Sequence, residues 1–196
     1  MPDPSAPDRR SPVLRPAALD DAPVIDALMK ASIRALFPAF YDARQTASSE
    51  VHIGHVDRML IEDGTYLVLT DAAGDIIACG GWSRRDKLFS GEAAQEGRAR
   101  LLDPATEPAR VRAMFVRVDW TRRGLGSRIL EACEAAARDA GFRTLALMAT
   151  LPGVLLYERF GGTCKLADGK RLQVAMQLAL DASGGLVGVL QVDSAT

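Results

Sequence analysis

The stretch Val111-Arg-Ala-Met-Phe-Val-Arg-Val-Asp-Trp-Thr-Arg-Arg-Gly-Leu-Gly126 decides the fold. Its first half, Val111 to Val118, is a short apolar run that predicts a strand. Its second half is a turn rich in Arg and Gly that opens into a helix, expected from Ser127 to Ala140. Leu125, Ile129, Cys133, Ala136 and Ala140 would share one face of that helix, with Gly141 as its stop. A helix N-terminus presents unpaired backbone N–H groups and the positive end of its dipole, and glycines let a ligand come close to the backbone. Five arginines lie from Arg112 to Arg128, against one acid, Asp119. Together these features describe a phosphate cradle.

Two familiar cradles do not fit. A P-loop requires Gly, four residues, then Gly-Lys-Ser/Thr, and no such string occurs. A dinucleotide fingerprint requires a third glycine where this chain has Ile129. Thr121 to Gly126 instead resembles the pyrophosphate loop of the GNAT superfamily of N-acetyltransferases, Gln/Arg-x-x-Gly-x-Gly/Ala. It matches at Gly124 and Gly126 and departs at Thr121, with Arg122 and Arg123 nearby as cations. Taken alone, the loop also fits a tight turn bearing solvated arginines.

The rest of the chain narrows the choice. Its 196 residues suit one domain, and 48% of them are apolar, enough for a core. A net charge of −1 gives no global pull toward nucleic acid or membrane. Cys79, Cys133 and Cys164 are far apart and have neither zinc nor disulfide-framework spacing, so reduced thiols in a cytoplasmic protein are expected. Residues 1–11 read as a disordered tail, 12–181 as the domain, and 182–196 as a tail or weak edge segment. No stretch reaches membrane-spanning length and no signal peptide is evident.

Along the chain, Val13 to Arg15 reads as a strand. A helix capped by Asp20 or Asp21 follows and ends at Phe37-Pro38. A second helix is expected from Ser49 to Ile61, started by Ser48 or Ser49. Strands Tyr66–Thr70 and Ile76–Gly81 would form a hairpin. Arg84 to Pro108 reads mainly as a long loop. After the glycine loop and its helix come a strand at Thr144–Ala149 and a short helix at Val154–Phe160. A hairpin of Thr163–Ala167 with Leu172–Leu180 closes the order. This predicts an α/β fold, a mixed sheet of six to seven strands with about four helices.

That order resembles the GNAT fold from Val13 to about Leu180. Three further segments carry the likeness: Val13-Leu-Arg-Pro with Asp21-Ala, Met114 to Trp120, and Gly153-Val-Leu-Leu-Tyr157-Glu-Arg-Phe-Gly161. Arg-Ala-Met-Phe-Val resembles a bacterial branch of the family. The resemblance implies acetyl transfer from acetyl-CoA, as co-substrate, to a primary amine of a small molecule or peptide, without a metal. The pyrophosphate would rest on the N–H groups of Arg123, Gly124, Leu125, Gly126 and Ser127, with Arg122 and Arg128 as charge partners. Pantetheine would pair with backbone at Phe115 and Val116, one of which would also supply the oxyanion donor. Tyr157 matches the position of the family's catalytic acid. Thr150 stands where Asn is frequent.

Other assignments stay open. Asp86, Glu107, His52 and His55 are candidates for the base, none of them decisive. Arg34, Tyr41 and Gln45, with Ser32, are polar positions among Leu36, Phe37 and Phe40, and suggest an acceptor pocket. The apolar C-terminal strand could pair across a homodimer. A non-catalytic acyl-CoA-binding or sensing module with the same fold is the alternative to an enzyme.

Overall fold

The computed structural model describes residues 11–86 and 100–159, together with the strand backbones at 173–180 and 186–188. One sheet of seven strands runs in chain order. These are β1 (Val13–Pro16), β2 (Tyr66–Thr70), β3 (Ile76–Ser83), β4 (Ala109–Val116), β5 (Thr144–Thr150), β6 (Gln173–Leu180) and β7 (Leu186–Gly188). The pairings β1–β2–β3–β4 and β5–β6–β7 are antiparallel. The two halves meet only at the parallel pair β4–β5, so the sheet is mixed.

Five α-helices lie among the described residues: α1 (Ala22–Leu36), α2 (Ala43–Ile53), α3 (Arg58–Glu62), α4 (Leu125–Asp139) and α5 (Val154–Arg159). The extra helix corrects the expectation of four. The segment read as one helix from Ser49 to Ile61 is two. Asp42 and Gln45 form a capping box that starts α2 well before Ser48, and Asp57 accepts from the Met59 N–H to start α3. A capping box satisfies two orphan N–H groups at once, which the isolated serines cannot do. The Thr163–Ala167 strand, Cys164, Phe160 and most of the long loop lie outside the described residues. The loop's ends do pair, through an Arg85–Leu101 bridge. Within 182–196, β7 forms the sheet edge beside β6.

The sheet has a helical layer on each face. α4 sets Leu125, Ile129, Leu130, Cys133 and Ala137 against Leu69, Val111, Leu145 and Leu147. Ala140, expected on that face, is exposed, because the helix ends at Asp139. On the other face, Ile25, Leu28 and Met29 of α1 and Leu60 and Ile61 of α3 cover Tyr66, Val68 and Cys79. Each fully buried Ile or Leu contributes about 1.5–3 kcal/mol of transfer free energy, so the two layers hold the sheet from both sides.

The pairing of β3 with β4 is irregular. Cys79 stands opposite Phe115 and Gly81 opposite Arg112, so Ala113 and Met114 together face the single residue Gly80. This is a β-bulge. Ala113 takes φ +52 in it, a left-handed conformation that costs an L-residue about 1–2 kcal/mol. Gly80 is required there by close approach: a Cβ would lie 2.7 Å from Met114 Cγ and 2.9 Å from Ile129 Cγ2.

Gly80→Ala is therefore expected to destabilise the protein by about 1–3 kcal/mol, the range for overpacking. Urea unfolding measures it, and an unchanged midpoint would show that the bulge can move aside.

Candidate active site

β4 and β5 pair only at Ala109–Leu145, Arg110–Ala146 and Val111–Leu147. Beyond those three pairs the strands diverge. A cavity of about 850 Å³ occupies the opening, within the usual size range for ligand sites. Met114, Phe115 and Val116 line it from β4, and Met148 and Thr150 from β5. It continues to the start of α4 at Thr121, Arg122, Gly124, Leu125, Gly126 and Ser127, and to Tyr157 and Arg159 of α5. On the α1 side it reaches Ser32, Leu36, Phe37 and Phe40.

The backbone at the opening is directional. The Arg117 N–H donates to Ile77 O of β3 at 2.8 Å. Alternation along an extended strand then turns the peptide groups of Val116 away from β3, toward the opening. Phe115, opposite Cys79, turns its own toward β3. Of the two backbone positions anticipated, the Val116 peptide groups turn toward the opening and those of Phe115 toward β3, and both residues line the cavity.

The loop before α4 is built on two left-handed residues, Arg122 at φ +62 and Gly124 at φ +78. Gly124 is the helix N-cap, and its carbonyl accepts from the Arg128 N–H at 3.1 Å. The N–H groups of the first helical turn, beginning at Leu125, have no intrahelical partner. Alternation of right- and left-handed residues also gathers successive N–H groups into an anion-binding concavity. Thr121, where the resemblance expects Gln or Arg, donates its hydroxyl to Val118 O at 2.9 Å and so closes its own turn.

The arginines divide into two groups. Arg122 lines the cavity. Arg123 lies 4.7 Å over the Trp120 ring, and Arg128 donates to Pro12 O at 3.0 Å. Both were expected at the phosphates, and neither is among the described lining residues. Arg159 lines the cavity although sequence reasoning did not select it. Its signal was its place two residues after Tyr157, on the same short helix. Arg112, also missed, is buried at the cavity wall and pairs with Asp57 at 2.9 Å.

Tyr157 is buried, and its hydroxyl donates to Met114 Sδ at 3.5 Å. Burial pushes this phenol well above its ordinary range. The hydroxyl therefore stays protonated, as a donor facing β4.

The sequence model of the acetyltransferase (GNAT) family matches residues 29–162. The chain belongs to the GNAT acetyltransferase family. No curated protein sequence matches it significantly. Among solved structures, the fold resembles a GCN5-related N-acetyltransferase from Rhodopseudomonas palustris, with TM-score 0.60 and 21% identity over 87% of this chain and 97% of that one. It also resembles the PaiA N-acetyltransferase of Thermoplasma acidophilum, solved in complex with coenzyme A (TM-score 0.62, 13% identity, 86% of this chain, 98% of that one). A third is a GNAT acetyltransferase from Brucella melitensis, solved in complex with acetyl-CoA (TM-score 0.52, 18% identity, 93% of both chains). At such identities the likeness is one of fold.

In this GNAT protein the three residues expected at the acceptor pocket are engaged elsewhere. Arg34 pairs with Glu50 at the surface. Gln45 accepts from the Asp42 N–H at 3.0 Å as part of the α2 cap. Tyr41 is buried, and its hydroxyl oxygen accepts from the Leu151 N–H at 2.7 Å. Their neighbours Ser32, Leu36, Phe37 and Phe40 form the wall instead. The base candidates also lie elsewhere. His55 Nδ1 sits 3.4 Å from Asp26 Oδ2, and Asp86 pairs with Arg110 at 2.8 Å. None of Asp86, Glu107, His52 or His55 is among the described lining residues. No group of three His, Cys, Asp or Glu that could hold a metal occurs among the described residues. No helix there is long and apolar enough to cross a membrane.

Glu107 bridges Arg100 at 2.6 Å, which holds its carboxyl down to about 2. A lowered folded-state pKa adds stability above the ordinary carboxylate value, and that stability is lost as pH falls through about 2. The Glu107 carboxyl should therefore titrate below pH 3 by NMR. A midpoint at the free value of about 4.3 would show the ion pair open in solution.

Proposed function

We propose that this GNAT protein transfers acetyl from acetyl-CoA to a primary amine of a small molecule or peptide by direct attack. The observation that carries the reading is one cavity in which the diverging β4 edge, the unpaired start of α4 and the Tyr157 hydroxyl meet. The α4 N–H groups, with Arg122, suit a pyrophosphate. The Val116 peptide groups, turned into the opening, suit the amide chain of pantetheine and give one N–H donor for a developing oxyanion. Neighbouring folds solved with coenzyme A and acetyl-CoA support the choice of co-substrate.

In the proposed reaction a neutral amine nitrogen attacks the thioester carbonyl. The C–N bond forms, the C–S bond breaks, and the proton lost by nitrogen ends on the CoA sulfur. Tyr157 meets the departing sulfur. At reference values a phenol of pKa about 10 and a thiol of about 8.5 make full proton transfer uphill by about 2 kcal/mol, and burial raises the phenol further. Tyr157 thus begins as a hydrogen-bond donor to the thiolate and delivers a proton only as nitrogen returns one.

Calorimetric titration tests the reading. Micromolar binding of acetyl-CoA with NAD silent is expected, whereas NAD binding in its place would overturn it. In a screen of amines for thiol release, Tyr157→Phe should keep acetyl-CoA affinity and lose turnover by about 10²–10⁴-fold, the scale of a positioned acid. Equal turnover would remove Tyr157 from the mechanism.

A further inference from the structure

We propose that Tyr66 is a positioning residue for the acyl site: its hydroxyl clamps the Ala113 carbonyl and thereby holds the bulge that shapes β4. The function of the clamp rests on the acetyl-CoA reading above, but its geometry does not.

Tyr66 begins β2, is fully buried, and is not among the residues that line the cavity. Its hydroxyl donates to Ala113 O at 2.7 Å across 47 residues of sequence. Its ring packs where Gly81 leaves room, since a Cβ there would lie 2.7 Å from Tyr66 Cδ2. The acceptor belongs to the non-glycine residue held left-handed within β4. A strained backbone persists only where its surroundings fix it, and a buried phenol keeps a hydrogen-bond partner. Each group meets the other's need.

The bulge sets the parity of everything after it. Arg112 faces Asp57 and Ala113 packs toward α1, so two consecutive residues share that side. Met114 and Val116 then fall on the α4 side and Phe115 on the α1 side. A regular strand continuing from Gly81–Arg112 would set Met114 opposite Cys79 and Val116 opposite Ile77. That would exchange the two faces and turn the Val116 peptide groups toward β3, away from the opening. The bulge therefore both brings Met114 to the Tyr157 hydroxyl and aims the Val116 N–H into the cavity.

Tyr66→Phe removes only the hydroxyl. Hydrogen exchange of the Phe115 and Arg117 amides, which face β3, should quicken about tenfold, the factor that one net hydrogen bond carries. Acetyl-CoA affinity should fall about tenfold, while affinity for 3′-phospho-ADP, the CoA fragment lacking pantetheine, stays unchanged. A general loss of stability would not separate the two ligands. Ala113→Gly in the same chain should restore both exchange and acetyl-CoA affinity, because glycine adopts φ > 0 without a steric cost. Unchanged exchange in Tyr66→Phe, or no recovery with Ala113→Gly, overturns the clamp. If Tyr66→Phe does not fold, the double variant decides, since failure there also overturns it. If the unaltered protein binds no acetyl-CoA, the functional reading fails, and the exchange data still judge the clamp.

Discussion

Everything at the candidate site depends on β4 and β5 parting after three residue pairs. In a continuous parallel ladder, β4 would spend its peptide groups on β5 and leave nothing for a ligand. Here the pairing stops at Val111 and Leu147, and the two strands walk apart. Unpaired buried backbone groups are costly, so an opening of this kind persists where it can be filled by solvent or by a ligand that restores the missing bonds. An amide-bearing chain such as pantetheine, proposed for this opening, would do so with the chemistry of a strand.

Packing on both faces surrounds the parting. α4 holds one face through Ile129, Leu130 and Cys133, and α1 with α3 holds the other through Ile25, Met29 and Leu60, all of them nearly inaccessible to solvent. β4 stays paired with β3 past the point where its pairing with β5 ends, and the bulge at Ala113 lies in that stretch. From there the chain runs through Val118–Trp120 into the glycine loop. The mouth of the splay and the N-terminus of α4 are thus neighbours because one segment builds both.

Much of this frame was legible in the sequence. The apolar run, the Gly124–Gly126 loop and the face of α4 follow from local periodicity and from the residues that left-handed turns require. What escaped was settled by particular tertiary partners. Ala113 gives no sign of a left-handed residue, since its carbonyl is held by a phenol far away in sequence. The second helix starts at the capping box of Asp42 and Gln45, a signal without the apolar periodicity that points to Ser48 or Ser49, and Gln45, expected at the acceptor pocket, is part of that cap. Arg34 and Tyr41 fell to Glu50 and to the Leu151 N–H. Polar residues near an apolar wall look alike in sequence whether they face a ligand or a neighbouring helix. Arg128 likewise belongs to the cluster by sequence and to Pro12 in space.

The resting partner of Tyr157 bears on how the proposed chemistry would be favoured. Its hydroxyl donates to the thioether of Met114, a neutral and weak acceptor. A thiolate leaving in the same place would be a far better one, since hydrogen bonds to an ionised partner are roughly twice as strong as neutral ones. In the proposed reaction the exchange of sulfur for sulfur would gain free energy only as negative charge develops, and the intact thioester, itself a poor acceptor, would gain little. An interaction stronger in the transition state than in the ground state is the kind that accelerates a reaction. Burial, which pushes the phenol up, would favour this hydrogen-bond role over outright proton release.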